Sequence, residues 1–441
     1  MSKPVPFVYN EPVDLTTHPT VCILPFVHFY YAPGGSISGC CINLPDGEDS
    51  KSTDTEFLKL VNVEPMNKLR KALTAGEFHS SCKNCWIHEK ELGNQSNREG
   101  KNLEWFDWYK QDINEAFEQY DSHTGAMKEF KMRFMDIRFS NLCNMKCRYC
   151  SAGFSSQWEV ENKKNNTPEW IGGDIPANLN AQQQDELMEE VIKQIPYLRV
   201  VNFAGGEPLV EERNYKILQA MIDQGRTDIQ IDISTNASTM KFKKYDLQEM
   251  LSKFDEVSFN VSIDHYGDKA EYMRNGTKWN EVLENLKIFS QMSNLNFTIA
   301  ASISVFNYVS FDECFYELHQ AGIIHSDMQL SVNIITSPHF MSAQMLPASL
   351  KTQGEYRWRK LIQYCVDNSI FEKSVKLQSN EDGSESTVWL STEIENMINW
   401  VNSNSTDDYL LQFHEHCRVL DNIRGENFKQ TFPELEELSY A

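Results

Sequence analysis

The sequence predicts an α/β protein whose body is a partial, TIM-like (β/α)6 barrel, and three observations carry that reading. From Lys131 onward, strand-like and helix-like stretches alternate; six of them are short apolar runs of strand length; and polar or glycine-bearing motifs recur just past the strand ends. Repeated β and α units build parallel sheets with right-handed crossovers, and such folds take their ligands at the carboxyl ends of the strands.

Taken in order, strands are expected at Met132–Phe139, Leu198–Ala204, Ile229–Ser234, Glu256–Ile263, Asn296–Val305 and Met328–Ile335. Helices are expected at Ala181–Gln194 and Arg213–Gln224, with further helical patterns around Leu247, Leu286 and Phe315. Ahead of this body, Val21–Trp86 is broken by Pro25, by Pro33-Gly34-Gly35 and by an Asp46-Gly47-Glu48-Asp49 loop. It reads as a small ligand-stapled module with little core. Ile87–Glu129, with Trp105, Phe106, Trp108 and Tyr109, reads as a helical connector packed on one side. After Pro338 come long helical patterns at Leu350–Asn368, Thr392–Val401 and Asp407–Arg424, with an irregular polar loop at Ser379–Ser386. Three domains follow: residues 1–128, 129–340 and 341–441, the last a helical extension expected to cover one face or end of the barrel.

At 441 residues core size is not limiting. Lysine and arginine number 41 against 63 acidic residues, a net charge of −22, which argues against a broad grip on nucleic-acid phosphates. Met1 to Thr20 lack the basic start and apolar run of a signal peptide, and no apolar stretch is long enough to span a bilayer, so a soluble, cytoplasmic protein is expected. Reduced thiols are the rule in such a compartment, which leaves clustered cysteines as metal ligands. Eight of the 11 cysteines fall in three groups before residue 151, whereas Cys314, Cys365 and Cys417 stand alone as buried apolar residues.

Cys143-Asn-Met-Lys-Cys147-Arg-Tyr-Cys150 follows the first barrel strand, on a loop where this fold places chemistry. Thiolates select iron-sulfur clusters or zinc, and a cubane normally takes four of them. A local set of three leaves one metal position open, and Lys146 and Arg148 would favour thiolates and offset a cluster's charge. Structural zinc completed by a distant residue is the alternative.

At this triad the chain resembles the radical S-adenosylmethionine (SAM) superfamily, whose loop is C-x3-C-x-aromatic-C, with Tyr149 in the aromatic place. The resemblance implies a 4Fe-4S cluster on Cys143, Cys147 and Cys150 whose open iron chelates SAM. It further implies reductive cleavage to methionine and a 5′-deoxyadenosyl radical, with the electron delivered by a flavodoxin or ferredoxin. Gly205-Gly206-Glu207-Pro208 matches the family's glycine motif at the SAM amino group. Ser234 and Asn236 after the third strand, and Ser262 and Asp264 after the fourth, resemble its ribose and methionyl contacts. Arg274 matches its arginine for the SAM carboxylate, a bidentate task suited to guanidinium, and Ser304 on the fifth strand lies where adenine contacts are expected.

Cys22, the pair Cys40 and Cys41, and then Cys82 with Cys85 resemble the auxiliary-cluster modules called SPASM and twitch, in which such cysteines bind a second 4Fe-4S cluster. Either Cys40 or Cys41 completes four ligands. Here the segment precedes the barrel, whereas those modules usually follow it. A zinc ribbon remains open for the same residues. Proteins with such modules act largely on peptides and proteins, so a peptide or protein substrate is the leading expectation. Modification of RNA or a small metabolite, and a noncatalytic iron-sulfur or zinc protein, are the rivals. Spacing singles out no residue that gives or takes a hydrogen atom.

Overall fold

The computed structural model describes residues 15–16, 18–42, 51–92, 95–174, 179–326, 328–370, 377–379, 385–387, 390–404 and 409–439. The expected Asp46–Asp49 loop lies outside them, as does most of Met1–Thr20. Two short strands that the sequence does not announce come first, β1 (His28–Tyr31) and β2 (Ile37–Ser38). There follow β3 (Phe134–Ile137), β4 (Lys146–Cys147), β5 (Val200–Phe203) and β6 (Gln230–Thr235). A small hairpin of β7 (Lys241–Phe242) and β8 (Tyr245–Asp246) precedes β9 (Val257–Ser262), after which come β10 (Arg274–Asn275), β11 (Leu295–Ile303) and β12 (Gln329–Ile334).

β3, β5, β6, β9, β11 and β12 fall on the six expected strands. Helices Ala181–Gln194, Glu212–Asp223, Leu247–Leu251, Trp279–Phe289 and Phe311–Gln320 fall between them. The fold class is α/β, with the strand and helix succession of a partial (β/α)6 barrel. Ala181–Gln194 starts where it does because Asn180 and Gln183 form a reciprocal capping box, and it buries Gln184, Leu187, Met188 and Val191 as one stripe. In the connector, Asn97–Trp108 is capped in the same way by Ser96 and Glu99; it buries Trp105 and leaves Trp108 exposed, the one-sided packing expected.

The chain divides into two compact units. One unit is Met1–Asn141, Pro176–Asp232 and Lys253–Asp255; the other is Leu142–Ile175, Ile233–Ser252 and Glu256–Ala441. In the first, β1 pairs in parallel with β3, Tyr30 opposite Asp136, and β3 pairs in parallel with β5, Asp136 opposite Asn202. The cysteine-rich segment therefore continues the sheet of the first barrel strand. In the second, β9, β11 and β12 run parallel, with Ala300 opposite both Ser262 and Ser331.

Strands β9 and β11 alternate strictly. Val257, Phe259, Val261, Phe297, Ile299, Ala301 and Ile303 are buried, while Asn260, Ser262, Thr298 and Ser302 are half-buried on the opposite face. A parallel sheet covered on both faces would read as continuous apolar runs, so this alternation marks one face of the second unit as open and polar. The C-terminal helices Ala348–Asp367, Leu390–Asn402 and Leu410–Arg424 belong to the same unit, and Leu390–Asn402 packs on β12. Where an irregular loop was expected at Ser379–Ser386, β13 (Leu377–Ser379) pairs antiparallel with β14 (Glu385–Thr387). No helix among the described residues is long and apolar enough to cross a membrane.

Candidate functional site

The three-cysteine loop is shaped before any ligand is considered. Its centre, β4, pairs antiparallel with β10, so that Arg274 stands opposite Cys147 and Asn275 opposite Lys146. The hydroxyl of Ser155 donates to the Met145 carbonyl at 2.6 Å, and the Trp158 indole donates to the Cys147 carbonyl at 2.9 Å. Cys143, Cys147 and Cys150 are each half-buried, and Cys147 lies within electrostatic reach of both others. Burial pushes the Cys147 thiol up to about 12 despite the opposing pull of Arg274. A thiol so placed holds its proton in the free chain, and a metal that binds it must displace that proton.

Tyr149, Asp264 and Arg274, three of the expected SAM-site residues, converge beside this loop. The Asp264 carboxylate, 1% exposed, accepts from Arg274 Nε at 2.5 Å, from the Tyr149 hydroxyl, and from the Ser302 backbone N–H at 2.6 Å. Arg274 Nη1 lies 4.0 Å from the Cys147 sulfur. Burial works against the guanidinium charge, but Asp264 and the Cys147 sulfur more than offset it, and the Arg274 pKa rises above its ordinary value. Asp264 is thus already engaged by three donors, and what it does in this arrangement is orient Arg274 and Tyr149.

Asn236 is drawn to the loop as well. Its amide donates to Asn144 at 3.0 Å and its carbonyl oxygen accepts from the Ser238 N–H and hydroxyl at 3.0 and 2.6 Å. Ser234 is exposed and Ser262 half-buried at the ends of their strands. Ser304 is fully buried, its hydroxyl accepting from the Phe306 N–H and contacting Asn307. Asn307 carries no motif of its own, yet it donates to the carbonyls of Asp264 at 2.9 Å and Ser302 at 3.0 Å and so ties two strand ends together.

The glycine motif lies in the other unit. Gly205 has φ of +138°, a conformation side chains rarely adopt, and a Cβ there would come 3.5 Å from the Arg138 side chain. Glu207 is 2% exposed and caps the turn Pro208–Val210, accepting the Leu209 N–H at 3.0 Å. Lys146 and Arg148 differ from expectation. Each is paired with carboxylates, Lys146 with Glu161 and Arg148 with Asp421 and Glu426, so their charges are already matched before any cluster is present.

In the first unit a single cavity is lined by Cys22, Cys40, Cys82 and Cys85, together with Gly39, Asn97 and Arg98. Cys41 does not line it; it is exposed and within electrostatic reach of Asp136 and Arg138. His28 Nδ1 contacts the Gly39 carbonyl at 3.2 Å and so supports the turn that carries Cys40. Burial, with smaller contributions from the neighbouring thiols, pushes Cys40 up to about 12 and Cys22 well above its ordinary value. Arg98 is held by Glu89 at 2.8 and 2.9 Å, both side chains nearly fully buried. The thiols surround a space without converging on a point: among the described residues no three Cys, His, Asp or Glu side chains gather as they would around a single ion.

Residues 137–311 match the sequence profile described as the radical SAM superfamily. A curated relative, GTP 3′,8-cyclase of Campylobacter lari, is 28% identical over 132 residues, 30% of this chain and 34% of that protein, so the chain spans about a third of its length. Among solved structures, anSMEcpe with bound AdoMet and Cp18Cys peptide is 15% identical with a TM-score of 0.35, over 52% of this chain and 60% of that one. SuiB of Streptococcus suis bound to S-adenosylmethionine is 13% identical with a TM-score of 0.36, over 69% and 64%. The matched segment opens on the strand that feeds the three-cysteine loop and runs past Arg274, so the likeness to the radical SAM profile covers both the loop and the guanidinium beside it.

Proposed function

We propose that this chain is a radical SAM enzyme that abstracts hydrogen from a peptide or protein, with Cys143, Cys147 and Cys150 holding the SAM-binding cluster. The carrying observation is the placement of Arg274: a half-buried, charged guanidinium in register with the central cysteine, beside a loop that offers three thiols. Cys143, Cys147 and Cys150 would hold the cluster, which when bound and reduced would supply the electron for reductive cleavage of SAM and so for hydrogen abstraction from the substrate. The chain's own residues orient the nucleotide. Arg274 pairs with its carboxylate, held in plane by Asp264, and the exposed Ser234 and the half-buried Ser262 offer hydroxyls to the ribose.

Four thiols around one cavity, Cys22, Cys40, Cys82 and Cys85, support a second, fully ligated 4Fe-4S cluster, and with it the peptide or protein reading. Four protein ligands would leave no open metal for substrate, so a cluster held there would serve electron relay. The partial match to a nucleotide cyclase favours a second reading, in which the same radical start acts on a small metabolite.

Anaerobically reconstituted protein with dithionite and SAM is expected to release 5′-deoxyadenosine, and Cys147→Ala to abolish the release. Release that survives this change would defeat the assignment.

A further inference from the structure

We propose that the C-terminal segment 410–438 is a clamp on the three-cysteine loop, and that Asp421 and Glu426 are positioning residues that set Arg274 against Cys147. The inference rests on reading that loop as the SAM site, yet it starts from contacts that reading does not use.

Arg148, between the second and third cysteines, has a fully buried side chain. Its Nη2 lies 2.5 Å from both Asp421 Oδ1 and Glu426 Oε2, its Nε donates to the Tyr272 carbonyl at 3.1 Å, and its guanidinium sits 3.5 Å over the Tyr272 ring. Its backbone N–H donates to the Met273 carbonyl at 2.8 Å. Asp421 also accepts from the Tyr272 hydroxyl at 2.9 Å and from the Phe428 N–H at 2.7 Å, which fixes the chain just beyond the helix Leu410–Arg424.

Glu426 reaches both strands of the ladder. One oxygen takes Arg148, the residue after Cys147; the other takes Asn275, the residue after Arg274, at 2.6 Å. A single carboxylate thus spans the β4–β10 pair at the step where cluster ligand and guanidinium face each other. A parallel tie runs through Glu161, which holds Lys146 at 2.5 Å and Arg424 at 2.7 Å, while Arg424 lies 4.7 Å over the Trp158 ring that bonds the Cys147 carbonyl.

A buried cation whose partners are removed is strongly destabilised where it stands, so Arg148 must leave its place if Asp421 and Glu426 lose their charge. The loop would leave with it. A displacement of about 1 Å is enough to spoil a bound group's alignment, so the effect falls on SAM before it falls on the fold. Were the C-terminal helix merely docked for bulk stability, SAM affinity would be indifferent to these carboxylates.

The test compares wild type, Glu426→Gln and Asp421→Asn/Glu426→Gln as full-length, anaerobically reconstituted proteins. Hydrogen exchange over residues 143–158 should be at least tenfold faster in the double variant, with residues 181–194 unchanged. The SAM concentration that half-saturates the change in the reduced cluster's EPR signal should rise at least tenfold in Glu426→Gln at unchanged iron content. Unchanged exchange in the loop overturns the clamp, and an unshifted SAM midpoint overturns the positioning role. If wild type shows no EPR response to SAM, the SAM-site reading fails, while the exchange comparison still decides the clamp.

Discussion

Arg274 faces Cys147 across a two-stranded ladder, its Nη1 4.0 Å from the sulfur while its Nε is bound to Asp264 at 2.5 Å. Among the described residues only Nε meets a carboxylate, so Asp264 holds the fork in one plane beside the thiols. A rigid, planar donor next to an incomplete thiolate set is what capture of a small molecule's carboxylate requires.

Replacing Arg274 with Gln should therefore leave iron content near wild type and weaken SAM binding about 10- to 100-fold, the range set by losing a charge-assisted pair worth roughly 1.5–3 kcal/mol. SAM titration of the reduced cluster's EPR signal measures this. A loss below threefold would remove Arg274 from the SAM site.

The auxiliary set predicts an asymmetry between adjacent cysteines. Cys40 lines the cavity with Cys22, Cys82 and Cys85, whereas Cys41 does not. Cys40→Ala should lose about four iron per chain on reconstitution, and Cys41→Ala none, read by iron analysis against protein concentration. Loss of one zinc in place of iron would make the site a zinc ribbon.

Ser304 offers a test of burial against resemblance. Fully buried, with its hydroxyl on Asn307 and the Phe306 N–H, it should act on stability alone. Ser304→Ala is expected to cost about 1–2 kcal/mol in denaturant unfolding by leaving those groups unsatisfied, and to change SAM affinity less than twofold. A tenfold change in affinity with stability intact would favour the adenine contact.

Periodicity carried the body of this protein well. The six barrel strands and the helix Ala181–Gln194 were legible because each alternates or stripes at the period of its own element. β1 was not, because His28-Phe29-Tyr30-Tyr31 is four aromatic residues between a proline-bearing turn and Pro33-Gly34-Gly35, and its partner β3 lies about a hundred residues on. The three-cysteine loop stood out by its spacing and Arg274 by its resemblance to the family's arginine, but the partners of their neighbours did not. Lys146 and Arg148 read as counter-charges for a cluster because their carboxylate partners, Glu161, Asp421 and Glu426, come as late as 278 residues further along the chain. Asn307 carries no local signal at all; its importance is visible only where two strand ends meet.

The raised thiols make one prediction about pH, and its sign follows from where the proton is held. Burial lifts Cys147 and Cys40 from 9.0 to about 12, so the folded chain without metal keeps protons that the unfolded chain releases. The stability these thiols contribute is fully present below pH 9 and is lost as pH rises through about 12, because the unfolded state there binds fewer protons than the folded one. Metal-free protein should therefore show a melting temperature that falls steadily between pH 9 and 11, with a shallower fall in Cys147→Ala. Loading with iron and sulfide should flatten the dependence, since the thiols are then deprotonated ligands at every pH in the range. A slope in the metal-free protein that does not respond to Cys147→Ala would mean that this thiol is solvated, and that the loop is open where the structure has it closed.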